Sequence, residues 1–277
     1  MAKPAGPTSH DVVDMVRRAL GEQRVGHLGT LDPFAEGLLV VVVGRATRLA
    51  TFAAGWTKAY EGVIRLGVTT DTDDATGAVL KTETVDVTAQ QLGAALAQFR
   101  GGYEQRPPAY SAVKIAGERA YRRARRGEVV EPAARRVEIE TLELVDYTAP
   151  DAAFRATVGG GTYLRSLARD VGAALGCGGH LVTLRRTAVG PLRLAEAVAP
   201  DAVAAADLRD AAVLVAHLPR REVTADERDA VVHGRPIARD PVRDARDPVA
   251  LFAGAELLAV AEVEGEMLKP RVVVTDA

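Results

Sequence analysis

Gly26-His27-Leu28-Gly29-Thr30-Leu31-Asp32-Pro33-Phe34-Ala35-Glu36-Gly37-Leu38-Leu39 is the stretch around which the rest of the chain can be organised. Three glycines bracket a single aspartate lodged between Leu31 and Pro33. The stretch runs straight into the most apolar segment, residues 38–43, whose valines and closing Gly44 predict a buried strand. A lone carboxylate in this setting is either an Asx-type turn residue or a group held in an apolar, backbone-crowded pocket. Composition leaves both readings open.

Upstream, Thr8 and Ser9 precede Val12, Val13, Val16, Ala19 and Leu20 at helical spacing, with Gly21 as the residue beyond the helix end. Downstream, residues 58–68 read as a strand containing Tyr60. Thr88-Ala89-Gln90-Gln91 is a capping box opening a helix through Leu92, Ala95, Leu96 and Phe99. Residues 136–147 predict a long strand with a bulge between Ile139 and Leu142, where the apolar phase slips. Strands at 154–158 and 181–189 flank a glycine turn, 159–161, and a helix capped by Thr162. After Pro200 the texture changes to an Ala-rich helix over 204–216, a loop over 239–248 and strands at 249–252, 257–263 and 269–274. The missing βαβ rhythm predicts an α+β fold with a mixed, mostly antiparallel sheet over residues 1–218. Residues 219–277 are expected to form a second, small β-rich domain.

The chain has 277 residues, long enough for one large domain or two unequal ones at about 150 residues each. Hydrophobic residues make up 48%, enough for a core, but aromatics only 4%, so that core rests on Ala, Val and Leu. A single cysteine, Cys177, excludes an intramolecular disulfide framework and a multi-cysteine zinc site. With no apolar stretch behind Lys3 and no apolar run beyond six residues, a soluble cytoplasmic protein is expected. Net charge is −2, but residues 98–136 carry ten basic residues against four acidic ones. On charge alone such a strip reads as a solvated helix face, although arginine forks also suit phosphate. Residues 71–77, Asp-Thr-Asp-Asp-Ala-Thr-Gly, fail the EF-hand pattern at three positions and read as a turn. The five histidines are dispersed, and neither a Gly-x-Ser-x-Gly elbow nor a phosphate-binding Walker loop occurs, so no metal is expected.

Lys3-Pro4-Ala5-Gly6-Pro7-Thr8-Ser9 and the Asp32 stretch resemble the opening and signature motifs of the TruB family of tRNA pseudouridine synthases. The resemblance continues through Lys58-Ala59-Tyr60, residues 67–77, Pro107-Pro108-Ala109-Tyr110-Ser111-Ala112-Val113-Lys114, Gly161-Thr162-Tyr163-Leu164-Arg165-Ser166-Leu167 and Leu184-Arg185-Arg186. These blocks keep the family's order from residue 3 to about 190. Leu28 and Phe34 are apolar variants of the pattern, and Glu36 stands where a small hydroxyl residue is common.

The resemblance implies conversion of uridine-55 in the tRNA T-loop to pseudouridine, with no metal, nicotinamide or other cofactor. It assigns Asp32 as the catalytic carboxylate and Arg165 as its partner, the cation that offsets the tendency of a desolvated carboxylate to take up a proton. Tyr60 is expected to pack on the flipped base and help remove the C5 proton. Tyr163 and Leu184 are expected to line the uracil pocket, and His27 to hold the target base out of the T-loop. Lys3 is expected to support the catalytic region. With the family in view, the 98–136 strip becomes the candidate groove for the T-arm, and residues 219–277 a PUA-like RNA-binding domain. The implied protein is a monomer needing no protein partner and no membrane. Two rivals are a tRNA-binding module without catalysis and the catalytic subunit of a guide-RNA-dependent synthase.

Overall fold

The computed structural model describes residues 1–111, 113–115, 117–240 and 247–275, all but the side chain of Arg125. Residues 241–246 of the expected loop, Ala112 of the Pro107 motif, and Asp276 and Ala277 lie outside the described residues. The chain forms two compact units, one of Met1–Ser9, Gly29–Leu39 and Gly55–Ala197, the other of His10–Leu28, Val40–Ala54 and Val198–Ala277. Among the described residues no helix is long and apolar enough to cross a membrane.

In the first unit the strands run, edge to edge, Ala2–Lys3, Glu36–Leu38, Gly179–Val189, Lys58–Leu66, Asp151–Val158, Arg135–Thr148 and Gly101–Gln105. Leu192–Arg193 folds back on Gly179–Val189 as a hairpin. Among the described strands of this sheet only the pairing of Glu36–Leu38 with Gly179–Val189 is parallel, in keeping with the mostly antiparallel expectation. The strands form because their side chains alternate. Tyr60, Ile64 and Leu66 are buried on one face while Ala59, Glu61, Val63 and Arg65 share the more open one. Ala152, Phe154, Ala156 and Val158 repeat the pattern next door. Helix Leu164–Ala174 packs on Gly179–Val189, and its Leu164, Leu167, Ala168 and Val171 are buried. Burying each leucine or valine contributes about 1.5–3 kcal/mol at most. Gly172 lets helix and strand touch, since a Cβ there would lie 2.2 Å from the Gly178 carbonyl carbon.

The second unit holds helix Ser9–Leu20 from His10 onward, the strand pair Val25–Leu28 and Val40–Val43, and a five-stranded sheet. That sheet orders Arg220–Glu222, Val249–Ala253, Glu256–Glu264, Met267–Val273 and Ile237–Ala238. Helix Ala225–Val232, opened by a Thr224/Glu227 capping box, covers a core of Val223, Val231, Ile237, Val249, Leu251, Leu258 and Leu268. The C-terminal part is thus β-rich, as expected.

Three local expectations are corrected. Residues 38–43 are not one strand: Glu36–Leu38 joins the large sheet and Val40–Val43 pairs with Val25–Leu28 in the other unit. An all-apolar run has no period and cannot reveal a bend. The Ala-rich segment 204–216 forms two short 3₁₀ turns, Ala205–Asp207 and Ala211–Val215, rather than a helix. Asp207 and Asp210 accept from the Ala204 and Ala212 N–H groups, so local side-chain bonds displace the helical ladder. Thr162 does not cap the next helix; its hydroxyl turns back to the Gly159 carbonyl at 3.1 Å and Tyr163 occupies the cap position. The Thr88/Gln91 capping box forms, and the long strand shifts register between Ile139 and Thr141, with a second shift between Leu144 and Asp146.

Candidate active site

The loop carrying Asp32 is fixed from two sides before its carboxylate meets anything. Gly37 has φ +108°, and a Cβ there would lie 2.3 Å from the Arg186 carbonyl oxygen, so only glycine permits its pairing with Arg186. The Arg186 side chain is 1% exposed. It donates from Nε to Leu38 O at 2.7 Å and from Nη2 to Gly29 O at 2.9 Å, tying the two ends of the loop together. Lys3, equally buried, donates to the carbonyls of Ala35 at 2.7 Å and Pro33 at 3.3 Å. The Ser9 hydroxyl accepts from Leu31 N–H and donates to Leu31 O, both at 2.9 Å. Every one of these bonds holds backbone, so the position of Asp32 is set by its neighbours rather than by its own contacts.

The Asp32 carboxylate accepts from Arg165 Nε at 2.8 Å (Oδ2) and from Nη2 at 3.2 Å (Oδ1). This two-pronged pair aligns both oxygens. The Asp32 side chain remains 33% exposed while that of Arg165 is 5% exposed, so the cation is the anchored member and the carboxylate the open one. Arg165 also donates to the carbonyls of Thr72 and Tyr110, each at 2.9 Å, and its Nη1 lies 3.5 Å from Asp74 Oδ2. Asp74 is buried, and its Oδ1 accepts from Thr72 Oγ1, Thr76 N–H and Thr76 Oγ1 at 2.6–3.0 Å. Residues 71–77 do form a turn, between Val68–Thr70 and Val79–Thr82, but it is one that holds the partner of Asp32.

Behind this pair lies a second cluster. Arg169, one helical turn after Arg165, bridges Asp73 Oδ2 and Asp170 Oδ1, each at 2.9 Å. Burial pushes the carboxyls of Asp73 and Asp170 above the usual carboxylate range, and Arg169 only partly offsets it.

The other expected site residues fall into three places. Tyr60 pairs with Arg186 and Leu184 with Gly62 across adjacent strands, and directly paired residues share a face. Tyr60 and Leu184, both buried, therefore lie on the sheet face from which Arg186 reaches the Asp32 loop. Tyr163 stands at the start of the Arg165 helix, with the Arg135 guanidinium 5.2 Å from its ring centroid. His27 belongs to the other unit, in strand Val25–Leu28 opposite Val41. In the basic strip, Arg126 pairs with both Glu118 and Glu128, Arg123 with Glu128 and Arg106 with Glu131. Lys114 and Arg122 stay exposed. Glu36 lies 3.5 Å from Arg185, which balances its unusual charge.

Asp74, Arg169, Arg186 and Gln105 were not singled out from sequence. A signal existed for the first two: adjacent carboxylates at 73 and 74 and arginines four apart at 165 and 169, which share a helix face. Nothing in Leu184-Arg185-Arg186 tells which arginine is buried.

Residues 17–164 match the TruB family pseudouridylate synthase N-terminal domain, and residues 165–226 the tRNA pseudouridylate synthase B C-terminal domain. A Thermobifida fusca protein named tRNA pseudouridine synthase B is 46% identical over 98% of this chain and 96% of its own length. A Mycobacterium protein of the same name is 47% identical over 85% of this chain and 82% of its own length. Among solved structures, a chain of a Cbf5-Nop10-Gar1 complex superposes with a TM-score of 0.74 at 26% identity, covering 99% of this chain and 84% of that one. By these matches the chain belongs to the TruB family of tRNA pseudouridine synthases, isomerases that convert uridine to pseudouridine in tRNA.

Proposed function

We propose that this isomerase acts on uridine-55 of the tRNA T-loop and uses Asp32 as its catalytic carboxylate. The observation that carries the reading is the two-pronged Arg165–Asp32 pair on a loop held by Arg186, Lys3 and Ser9. In the reaction the N1–C1′ bond breaks, the uracil turns over, and a C5–C1′ bond forms to the same ribose. The C5 proton leaves and N1 ends protonated, so atoms balance without oxidant, water or cofactor. Asp32 faces the ribose or the base edge. Arg165 keeps both carboxylate oxygens aligned through the rearrangement, which is orientation supplied before the substrate arrives. Tyr60 packs against the base and assists removal of the C5 proton, while Tyr163 and Leu184 line the pocket that retains the detached uracil.

The target base has to be extruded, at a cost of a few kcal/mol that stacking on an aromatic ring partly returns, about 1–3 kcal/mol per base. His27 is the residue we assign to the vacated T-loop position. Exposed cations of the 98–136 strip, Lys114 and Arg122 among them, contact T-arm phosphates, and residues 219–277 form a small PUA-like domain that adds RNA contacts. The likeness to a Cbf5 complex favours a second reading, a catalytic subunit dependent on partners and a guide. Purified protein and a tRNA transcript tritiated at uridine C5, with nothing else added, decide between them. Tritium released to water from the T-loop uridine supports the first reading; release only with added partners supports the second.

A further inference from the structure

Strand Gly101–Gln105 ends on a side chain that the proposed mechanism does not use. Gln105 is 0% exposed, and its polar atoms converge on one residue. Its Oε1 accepts from the Tyr163 backbone N–H at 2.8 Å, and its Nε2 donates to the Tyr163 carbonyl at 3.0 Å and to Tyr103 Oη. The amide has only one orientation here, because a backbone N–H is a donor and has to meet the oxygen. Nε2 then gives one hydrogen to Tyr163 O and the other to Tyr103. The Tyr103 hydroxyl in turn donates to Asp170 Oδ2, 3.4 Å away.

Tyr163 is the cap residue of helix Leu164–Ala174 and makes no side-chain cap bond of its own. Its carbonyl opens the helix by accepting from Leu167 N–H at 3.1 Å. Helix starts leave backbone groups that need a fixing partner, and here a neighbouring strand provides one. Arg165 follows two residues later. The same helix grips the segment beyond Gln105: Arg106 O accepts from Ser166 Oγ and Arg169 Nη2, both at 2.9 Å.

We infer that Gln105 is a positioning residue for the isomerisation. By holding both the N–H and the C=O of Tyr163, it fixes the Tyr163 ring and the helix start from which Arg165 aligns Asp32. The inference rests on the roles proposed above for Asp32, Arg165 and Tyr163, and it concerns geometry alone.

The test compares single-turnover tritium release and tRNA affinity in wild type, Gln105→Glu, Gln105→Asn, Tyr103→Phe and Asp32→Asn. Gln105→Glu keeps the acceptor for the Tyr163 N–H but sets a second acceptor against the Tyr163 carbonyl. Its rate constant per folded molecule is expected to fall about tenfold to a hundredfold, as for a misplaced catalytic group, with Kd for tRNA within about threefold of wild type. Gln105→Asn draws both amide functions back by one methylene and is read the same way if Gln105→Glu does not fold. Tyr103→Phe leaves the Gln105–Tyr163 bonds intact and is expected to keep the wild-type rate. A wild-type rate in whichever position-105 variant folds overturns the inference. So does a loss confined to Kd, an equal loss in Tyr103→Phe, or failure of both position-105 variants to fold, which leaves a structural role only. Asp32→Asn separates the two levels: release retained in Asp32→Asn sinks the site reading itself, whereas release lost there and kept at position 105 sinks only the role of Gln105.

Discussion

Replacing Arg165 with lysine keeps a positive charge and removes a planar fork, so it isolates what alignment contributes. Arg165 serves Asp32 Oδ2 at 2.8 Å, Asp32 Oδ1 at 3.2 Å, and the Thr72 and Tyr110 carbonyls at 2.9 Å each. A lysine ammonium is a single point with three donors and cannot reach acceptors arranged around three edges of a guanidinium. At least one carbonyl and one prong of the Asp32 pair are lost. A carbonyl stripped of its donor in a buried setting costs about 1–3 kcal/mol. The lost prong counts for less, because the Asp32 side chain is 33% exposed and water screens it. Arg165→Lys is therefore expected to lose about 2–4 kcal/mol of stability. Its single-turnover rate is expected to fall about a hundredfold, or about 2.7 kcal/mol of activation free energy. Asp32→Asn splits the other way: turnover at background, stability within about 1 kcal/mol of wild type. Urea unfolding and single-turnover tritium release on the same preparations measure both quantities. The double variant should react no more slowly than Asp32→Asn alone. Arg165→Lys at the wild-type rate and midpoint would refute the reasoning, since the guanidinium would then neither align the carboxylate nor hold the loop around it.

Gly37→Ala puts a Cβ 2.3 Å from backbone of Arg186 at φ +108°, so the chain is expected to fold poorly or lose more than about 3 kcal/mol, read by thermal unfolding. Asp170→Asn tests the buried acids. Burial raises the folded-state pKa of Asp170, so ionising it costs stability progressively as pH climbs from the ordinary carboxylate value through the raised one. The variant should match wild type below the ordinary value and exceed it in melting temperature above the raised one, in a pH series of calorimetric scans. In the basic strip, Lys114→Ala and Arg122→Ala should each weaken tRNA binding and flatten its salt dependence by about 0.7–0.9 in the log–log slope, whereas Arg126→Ala, already paired with two glutamates, should change the slope far less.

Much of this fold was legible because period and turn chemistry agree. Thr88 and Gln91 cap a helix by side-chain geometry that the sequence spells out, and Ile139 to Leu142 betrays a bulge by its slipped apolar phase. Residues 38–43 misled because an unbroken apolar run carries no phase, so the bend at Leu39 left no trace. The 204–216 segment misled because helix propensity of alanine yields to aspartates that bond their own backbone. For the site, the Asp32–Arg165 pair followed from the family resemblance, and the structure supplies its geometry. The supporting residues were hidden for a different reason. Arg186 and Gln105 act through backbone carbonyls and amides, and no side-chain pattern announces a contact whose other half is main chain; Lys3, which also bonds only backbone, was expected to support the region from the family resemblance alone. Asp74 was visible only as part of a turn, because its role depends on an arginine about ninety residues away.

Tritium release from a tRNA transcript labelled at uridine C5, mixed with the purified protein alone, tests the central claim most directly. Stoichiometric release that disappears in Asp32→Asn, and in a transcript whose T-loop uridine is replaced, is the predicted result. Release that survives either change would contradict the account, in the first case of the catalytic carboxylate and in the second of the target.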